Sequence, residues 1–241
     1  MRMVGASPMF LVVALAFSAL TAEAAPYSLD VHPSASGRSR KTFTVRVKGA
    51  AGNPQLFVIR DDLKWFHHLH ASSDNAAEFT VPTNGRYTVY AVDPKNADAI
   101  VKQELRVGRF HLPSFGGGFD PRVRSRRSGE LDILLAGPEH GLRAGEPVVV
   151  EFLVLRHGDP VTYLTSRGDF GHLIAVERDR ASAAVGTAIY PPSYAPGPGN
   201  ATGGPSFQFR LRFPHSGDFR LWLELYHAEH SIDVPFDVHV E

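Results

Sequence analysis

Short runs of alternating polar and apolar residues, each closed by a turn residue, constrain this chain more than any other feature. Thr42-Phe43-Thr44-Val45-Arg46-Val47, Arg86-Tyr87-Thr88-Val89-Tyr90-Ala91-Val92 and Gln103-Glu104-Leu105-Arg106-Val107 carry the period of two and the β-branched and aromatic content of strands. No window of a dozen residues sustains a helical stripe capped at both ends, and 22 Gly and 18 Pro punctuate the sequence. The expected class is all-β, built as antiparallel sandwiches.

A repeat sets the number of units. Leu56-Phe57-Val58-Ile59-Arg60-Asp61-Asp62 parallels Leu173-Ile174-Ala175-Val176-Glu177-Arg178-Asp179, both apolar runs entering an acidic turn. Phe79 to Tyr90 parallels Phe209 to Trp222, each reading as strand, glycine turn and strand around Gly85 and Gly217. The second copy is longer between these landmarks, and the Pro/Gly-rich stretch from Tyr190 to Pro205 can hold the excess, since loop closure entropy grows only logarithmically with length. Within the late hairpin, alternation sets Phe219, Leu221 and Leu223 against Trp222 and Glu224, and the first set is the expected core.

The first 24 residues read as an export signal, with Arg2, an apolar run from Met9 to Leu20 and the small-residue pattern Ala22-Glu23-Ala24. The expected division is a signal peptide over 1–24, one sandwich over 25–110, a Gly/Arg linker over 111–127 and a second sandwich over 128–241. A periplasmic or secreted location follows from the signal, with no membrane span after its cleavage. The linker holds Arg122, Arg124, Arg126 and Arg127. Because 25 Lys and Arg balance 25 Asp and Glu, these read as a solvated face, and no nucleic-acid partner is expected.

Sulfur is the next constraint. The chain has no Cys, and its three Met, at positions 1, 3 and 9, all fall within the signal. Disulfides, thiol catalysis and sulfur ligation are therefore excluded, which leaves imidazole and carboxylate as the metal-binding chemistry. Three of the 12 His crowd into Asp61-Asp62-Leu63-Lys64-Trp65-Phe66-His67-His68-Leu69-His70. In an extended segment His68 and His70 share one face about 7 Å apart. Such a pair can bind one divalent cation, Cu(II) or Zn, if a neighbouring strand or a carboxylate of Asp61 or Asp62 supplies a third ligand. Surface or hydrogen-bonding histidines are the other reading of the same pair. His227 and His230 flank a hairpin turn where metal binding would be adventitious, and His140, His157 and His215 stand beside turn residues.

The motifs of catalysis are missing: there is no Gly-x-Ser-x-Gly elbow, no His-Glu-x-x-His, no phosphate-cradling loop ahead of a helix and no Cys nucleophile. Asp61 and Asp62 fit turn stabilisation better than an acid–base pair, because adjacent strand residues point to opposite faces. No enzyme activity is expected. Asn200-Ala201-Thr202 matches a glycosylation acceptor by chance.

The run Asp61-Asp62-Leu63-x-x-Phe66-x-His68-x-His70, then Asn84-Gly85-Arg86-Tyr87, resembles a family of bacterial secreted tandem Ig-like β-sandwich proteins with a D-L-x-x-F-x-H-x-H motif. In the second half the likeness runs through Gly145-Glu146-Pro147, Gly171-His172-Leu173, Pro214 to Trp222 and Val234-Pro235-Phe236. The resemblance implies tandem Ig-like sandwiches and an association with metal, copper in particular. It also implies a His before the apolar strand and a His-x-His followed by Pro. Here Gln55 replaces that His in the first half and Ala71 replaces the Pro. The second half keeps His172 but has Val185 and Thr187 where His68 and His70 would stand. Each half thus lacks what the other retains, so an ion would be held weakly or shared between domains. The candidate ligands are His68, His70, Asp62 and His172. The expected function is an exported non-catalytic binding module; the alternative is a metal-free structural or interaction protein whose edge strands recruit another exported protein.

Overall fold

The computed structural model describes residues 27–35, 41–50, 54–93, 96–108, 118–137, 141–161, 164–165, 171–179, 183–189, 202–227 and 230–241. The expected signal, residues 111–117 of the expected Gly/Arg linker, His140 and the glycosylation pattern's Asn200 lie outside them. The protein is all-β, and no helix among the described residues is long and apolar enough to cross a membrane.

The first half contributes seven strands: β1 (Ser28–Pro33), β2 (Thr42–Lys48), β3 (Gln55–Arg60), β4 (Phe66–His70), β5 (Ala76–Thr80), β6 (Gly85–Asp93) and β7 (Asn96–Val107). They form a three-stranded sheet, β1-β2-β5, facing a four-stranded sheet, β4-β3-β6-β7, with antiparallel pairing throughout. This is the two-sheet, seven-strand arrangement of an Ig-like sandwich. Alternation fills it: Val45, Val47, Leu56, Val58, Tyr87, Val89 and Ala91 pack inward in one buried cluster.

The second half repeats the plan with β8 (Ser125–Ser128), β9 (Leu131–Leu135), β10 (Pro147–Arg156), β11 (Asp159–Pro160), β12 (Leu164–Thr165), β13 (Gly171–Glu177), β14 (Ala183–Ile189), β15 (Thr202–Gly203), β16 (Ser206–Arg212), β17 (Gly217–His227) and β18 (His230–Val240). Strands β9, β10 and β16 correspond to the three-stranded sheet, and β14, β13, β17 and β18 to the four-stranded one. Here the sheets are joined, because β14 pairs with β13 as far as Gly186 and with β16 from Thr187. A Cβ at Gly186 would lie 3.0 Å from Leu173 and from Phe209, so the strand changes sheets at the one residue without a side chain. The glycines that opened the repeat comparison are equivalent in conformation: Gly85 has φ +155° and Gly217 φ +150°, values that L side chains rarely adopt.

The described strands start earlier than the expected linker ends, since β8 begins at Ser125 and pairs with β9. The arginines there are spoken for. Arg122 pairs with Asp120, Arg124 donates to the Leu135 carbonyl, Arg126 donates to the Pro235 carbonyl and Arg127 pairs with Asp132.

A third apolar cluster decides how the halves sit together. Phe57, Ile59, Leu63, Phe66, Tyr90 and Val92 of the first half pack on Ile174, Val176, Val185 and Trp222 of the second. Phe66 and Trp222 stack with ring centroids 5.2 Å apart and planes 10° from parallel. The central strands of the two four-stranded sheets, β3, β6, β13 and β17, are thus buried on both faces, inward against their own sandwich and outward against the other. That corrects the sequence reading of the late hairpin, in which only Phe219, Leu221 and Leu223 were core: Trp222 and Glu224 are 6% and 3% exposed. The outward face is covered by the other sandwich instead of by water, so both sets are buried.

A buried ion pair closes the same interface. Arg220 makes a two-pronged contact with Asp237, at 2.7 and 2.9 Å, and donates from Nη1 to the Leu63 carbonyl at 2.8 Å. Leu63 has φ +55°, a left-handed conformation that turns its carbonyl toward Arg220 while its side chain stays in the apolar cluster. Asp237, 0% exposed, also accepts the Asp120 amide, so both partners of the buried pair have further hydrogen bonds.

Candidate metal centre

Strand β4 carries Phe66, His68 and His70 on one face and His67 and Leu69 on the other, as a period of two requires. Its first face meets the second sandwich. Register then does the rest: His70 lies opposite Gln55, His68 opposite Phe57, and across the interface His172 on β13 lies opposite Glu224 on β17. Tyr226, two residues beyond Glu224, shares its face.

These side chains converge. His68 Nδ1 lies 2.6 Å from Glu224 Oε2, with both side chains almost wholly buried. The His68 ring centroid lies 4.2 Å from that of His172 and 4.7 Å from that of His70, and the last two are 6.4 Å apart. The Tyr226 hydroxyl donates to Glu224 Oε2 at 3.1 Å and is 3.2 Å from His70 Nε2. Gln55 Nε2 lies 3.1 Å from His172 Nδ1. His68 also stacks on Phe57, with centroids 4.8 Å apart, so its ring is clamped between an apolar wall and a carboxylate. Among the described residues, His68, His172 and Glu224 form the group whose ligand atoms all lie within 4.8 Å of one another.

The electrostatics suit a cation. Burial, and then the neighbouring His68, push His172 down to about 3, so it is a neutral imidazole with a lone pair at any neutral pH. Burial pushes the Glu224 carboxyl up, but the hydrogen bond and charge of His68, with help from His172 and Tyr226, outweigh it and hold the group below its usual value. Asp233, paired with Glu224 across β17 and β18, has its carboxyl pushed up to about 7 by burial and by the Glu224 charge. A neutral imidazole at His172 and an ionised carboxylate at Glu224 are the forms in which these two groups bind divalent metals.

Of the four residues singled out from sequence, the structure brings together His68, His70 and His172. Asp62 is a correction. It sits in the turn between β3 and β4, where Arg60 takes both of its oxygens, at 2.7 and 2.6 Å, and the Lys64 amide takes one again at 3.1 Å. Asp61 pairs with Arg86 at 2.7 Å. Each carboxylate of the acidic turn is consumed by its own arginine, and the turn is at the opposite end of the β3–β4 hairpin from Gln55 and His70. Glu224 is the carboxylate that sequence reasoning missed, and Gln55, read there as a lost ligand, is the hydrogen-bond partner of the other half's histidine. His227 and His230 are cross-strand partners at the end of the last hairpin and join no such group among the described residues. His215 pairs with Glu177 at 3.3 Å, and His157 occupies a left-handed turn position with φ +53°.

Comparison with known proteins adds a boundary more than a function. Residues 127–241 match a family described as Domain of unknown function (DUF8832). The match begins inside β8 and covers β9 to β18. No curated protein matches the chain. Among solved structures, it is similar to fibronectin(III)-like modules of Clostridium thermocellum CbhA, at 12% identity over 83% of this chain and 84% of that one, with a TM-score of 0.24. Domains 4 and 5 of the S-layer protein SbsC are similar at 10% identity over 67% of each chain, with a TM-score of 0.28. A putative membrane anchored protein from Corynebacterium diphtheriae is similar at 12% identity over 89% of this chain and 57% of that one, with a TM-score of 0.24. The sandwich assignment rests on the strand pairing itself.

Proposed function

We propose that this protein is an exported, non-catalytic binding module that holds one divalent transition-metal ion, Cu(II) or Zn, between its two sandwiches. The observation that carries this reading is the convergence of His68 from one half with His172 and Glu224 from the other, their ligand atoms within 4.8 Å of one another. A buried cluster of three polar groups costs several kcal/mol in desolvation unless something compensates it, and an ion of charge +2 would do so. Thiol and thioether ligands are absent from the chain beyond position 9, so nitrogen and oxygen donors define the metal class. The sharing of ligands explains why neither repeat carries a full set of its own. The signal-like leader supports export, and the missing catalytic motifs support a binding role.

Calorimetric titration of the purified protein with Cu(II) and with Zn, beside His68→Ala and His172→Ala, tests this. Submicromolar binding lost in either variant is expected. Affinity no tighter than about millimolar, or unchanged in both variants, would remove the metal reading.

A second reading is favoured by one feature, the length of the strands that end the four-stranded sheets: β7 spans Asn96–Val107 and β18 spans His230–Val240. Such edges can accept a strand from another exported protein, with Pro235 interrupting the donor row on β18. Metal-independent capture of a partner that is lost on introducing proline into β7 would favour it.

A further inference from the structure

We propose that Arg220 is the positioning residue of the cluster of His68, His172 and Glu224: anchored by Asp237, it sets the offset of β17 over β4 and so brings the ligand groups of the two sandwiches face to face. This inference rests on the metal reading above for the use of the cluster, but the offset belongs to the metal-free protein and is tested there as well.

Alternation divides β17 into two rows. Phe219, Leu221, Leu223 and Leu225 fill the core of the second sandwich, and Arg220, Trp222, Glu224 and Tyr226 are buried on the opposite face. The second row meets the first half step by step. Arg220 donates to the Leu63 carbonyl, Trp222 stacks on Phe66, Glu224 lies 2.6 Å from His68, and the Tyr226 hydroxyl lies 3.2 Å from His70. From Phe66 onward, two residues along β17 match two residues along β4, so the strands run alongside each other in one direction. They belong to different sheets, so no ladder of backbone hydrogen bonds sets their offset.

The apolar layer of Phe57, Phe66, Ile174 and Trp222 rewards burial without direction, and a slide of one step, about 7 Å, would leave Glu224 against Phe66. Arg220 supplies the direction. Its cross-strand neighbour Asp237 takes Nε and Nη2 at 2.7 and 2.9 Å, which fixes the guanidinium plane and leaves Nη1 to meet the Leu63 carbonyl at 2.8 Å. That carbonyl is equally fixed, because Leu63 has φ +55° and its own amide donates to the Arg60 carbonyl in the turn ahead of β4. Asp237 Oδ2 also accepts the Asp120 amide, so the same pair holds the segment that enters the second sandwich. Arg220 stands four residues before Glu224, about 13 Å along the strand, and acts on the cluster only through the offset. A ligand set needs placement to within about 0.5 Å, so a small slip is enough to spoil it.

Nuclear magnetic resonance of the metal-free protein and calorimetric titration with Cu(II) test this together. A proton shared by His68 Nδ1 and Glu224 Oε2 resonates far downfield, and Glu224→Gln, which removes the carboxylate, identifies the signal. Arg220→Met should shift or lose that resonance and lower Cu(II) affinity about 10- to 100-fold. Arg220→Lys keeps a charge beside Asp237 but not the planar fork, and should fall between Arg220→Met and wild type. Phe79→Ala, in the first sandwich's own core, lowers stability and should leave both readouts as in wild type. Wild-type resonance and affinity in Arg220→Met would overturn the proposal, and so would equal losses in Phe79→Ala, which would make them effects of stability alone. If Arg220→Met does not fold, Arg220→Lys decides by itself: a shifted resonance or lowered affinity supports the proposal, and wild-type values overturn it. A wild type that binds no Cu(II) would instead remove the metal reading, and the resonance in the Arg220 variants would still decide the offset.

Discussion

Replacing His172 by glutamine should change the way stability depends on pH, and the size of the change follows from the site. The ordinary value for the imidazole is 6.5, and in the folded protein burial and His68 depress it to about 3. Between these limits the unfolded chain takes a proton at this position that the folded chain refuses. The stability associated with a neutral His172 is therefore fully present above 6.5 and is lost progressively as pH falls toward 3. At pH 5 the loss is 1.5 pH units at about 1.36 kcal/mol each, or about 2 kcal/mol, and at pH 7.5 it is close to zero. Glu224 acts in the same direction at lower pH, its contribution present above 4.5 and lost as pH falls below it. Asp233 opposes both, since a carboxyl raised to about 7 favours the folded state below 3.8 and loses that advantage as pH rises through 7. Those two groups titrate in wild type and variant alike and cancel to first order in the difference. Urea unfolding at pH 7.5 and 5.0, with a chelator present, measures it. Moving to pH 5.0 should cost the wild type about 2 kcal/mol more than His172→Gln. Equal losses in the two proteins would show that His172 is not held neutral by the interface.

Other consequences follow from the same geometry. Arg220→Met leaves Asp237 buried without its guanidinium and the Leu63 carbonyl without its donor, so urea unfolding should show a loss of about 3–5 kcal/mol; a loss under about 1 kcal/mol would mean that the pair is not buried. Trp222→Ala opens the apolar layer between the sandwiches and should cost about 3–5 kcal/mol by the same measurement, whereas a nearly neutral effect would place that face in water. Asp62→Asn should leave Cu(II) and Zn affinity within about twofold in calorimetry, because its oxygens serve Arg60 and the Lys64 amide; a tenfold drop would return Asp62 to the ligand set.

Much of the site was legible because one of its rules is local. A period of two places His68 with His70, and the repeat aligns Gln55 with His172 and exposes the complementary gaps in the two copies. Asp62 was misjudged for an equally local reason: a carboxylate close in sequence to a histidine pair can sit at the wrong end of a hairpin, and Arg60 two residues away already claims it. Glu224 was out of reach of such reasoning. It stands 156 positions from the histidine that it holds, and nothing in Trp222-Leu223-Glu224-Leu225 says which surface will cover it. One signal was available. Leu56 to Ile59 and Leu173 to Val176 are apolar without interruption, the pattern of strands covered on both faces, while a sandwich facing water would alternate.

The chain by itself determines strands, turns and duplication, since those depend on side-chain periodicity and on glycine at Gly85 and Gly217, each a matter of a few neighbouring residues. It also determines the donor chemistry, because sulfur is absent beyond position 9. Only the tertiary structure decides that the outward faces of two sheets become an interior, through Phe57, Phe66, Ile174 and Trp222, and that the histidine pair of one copy meets the lone histidine and the glutamate of the other. The physical reason is that alternation states which residues share a face, whereas the partner of that face is chosen by apolar burial between segments more than a hundred residues apart.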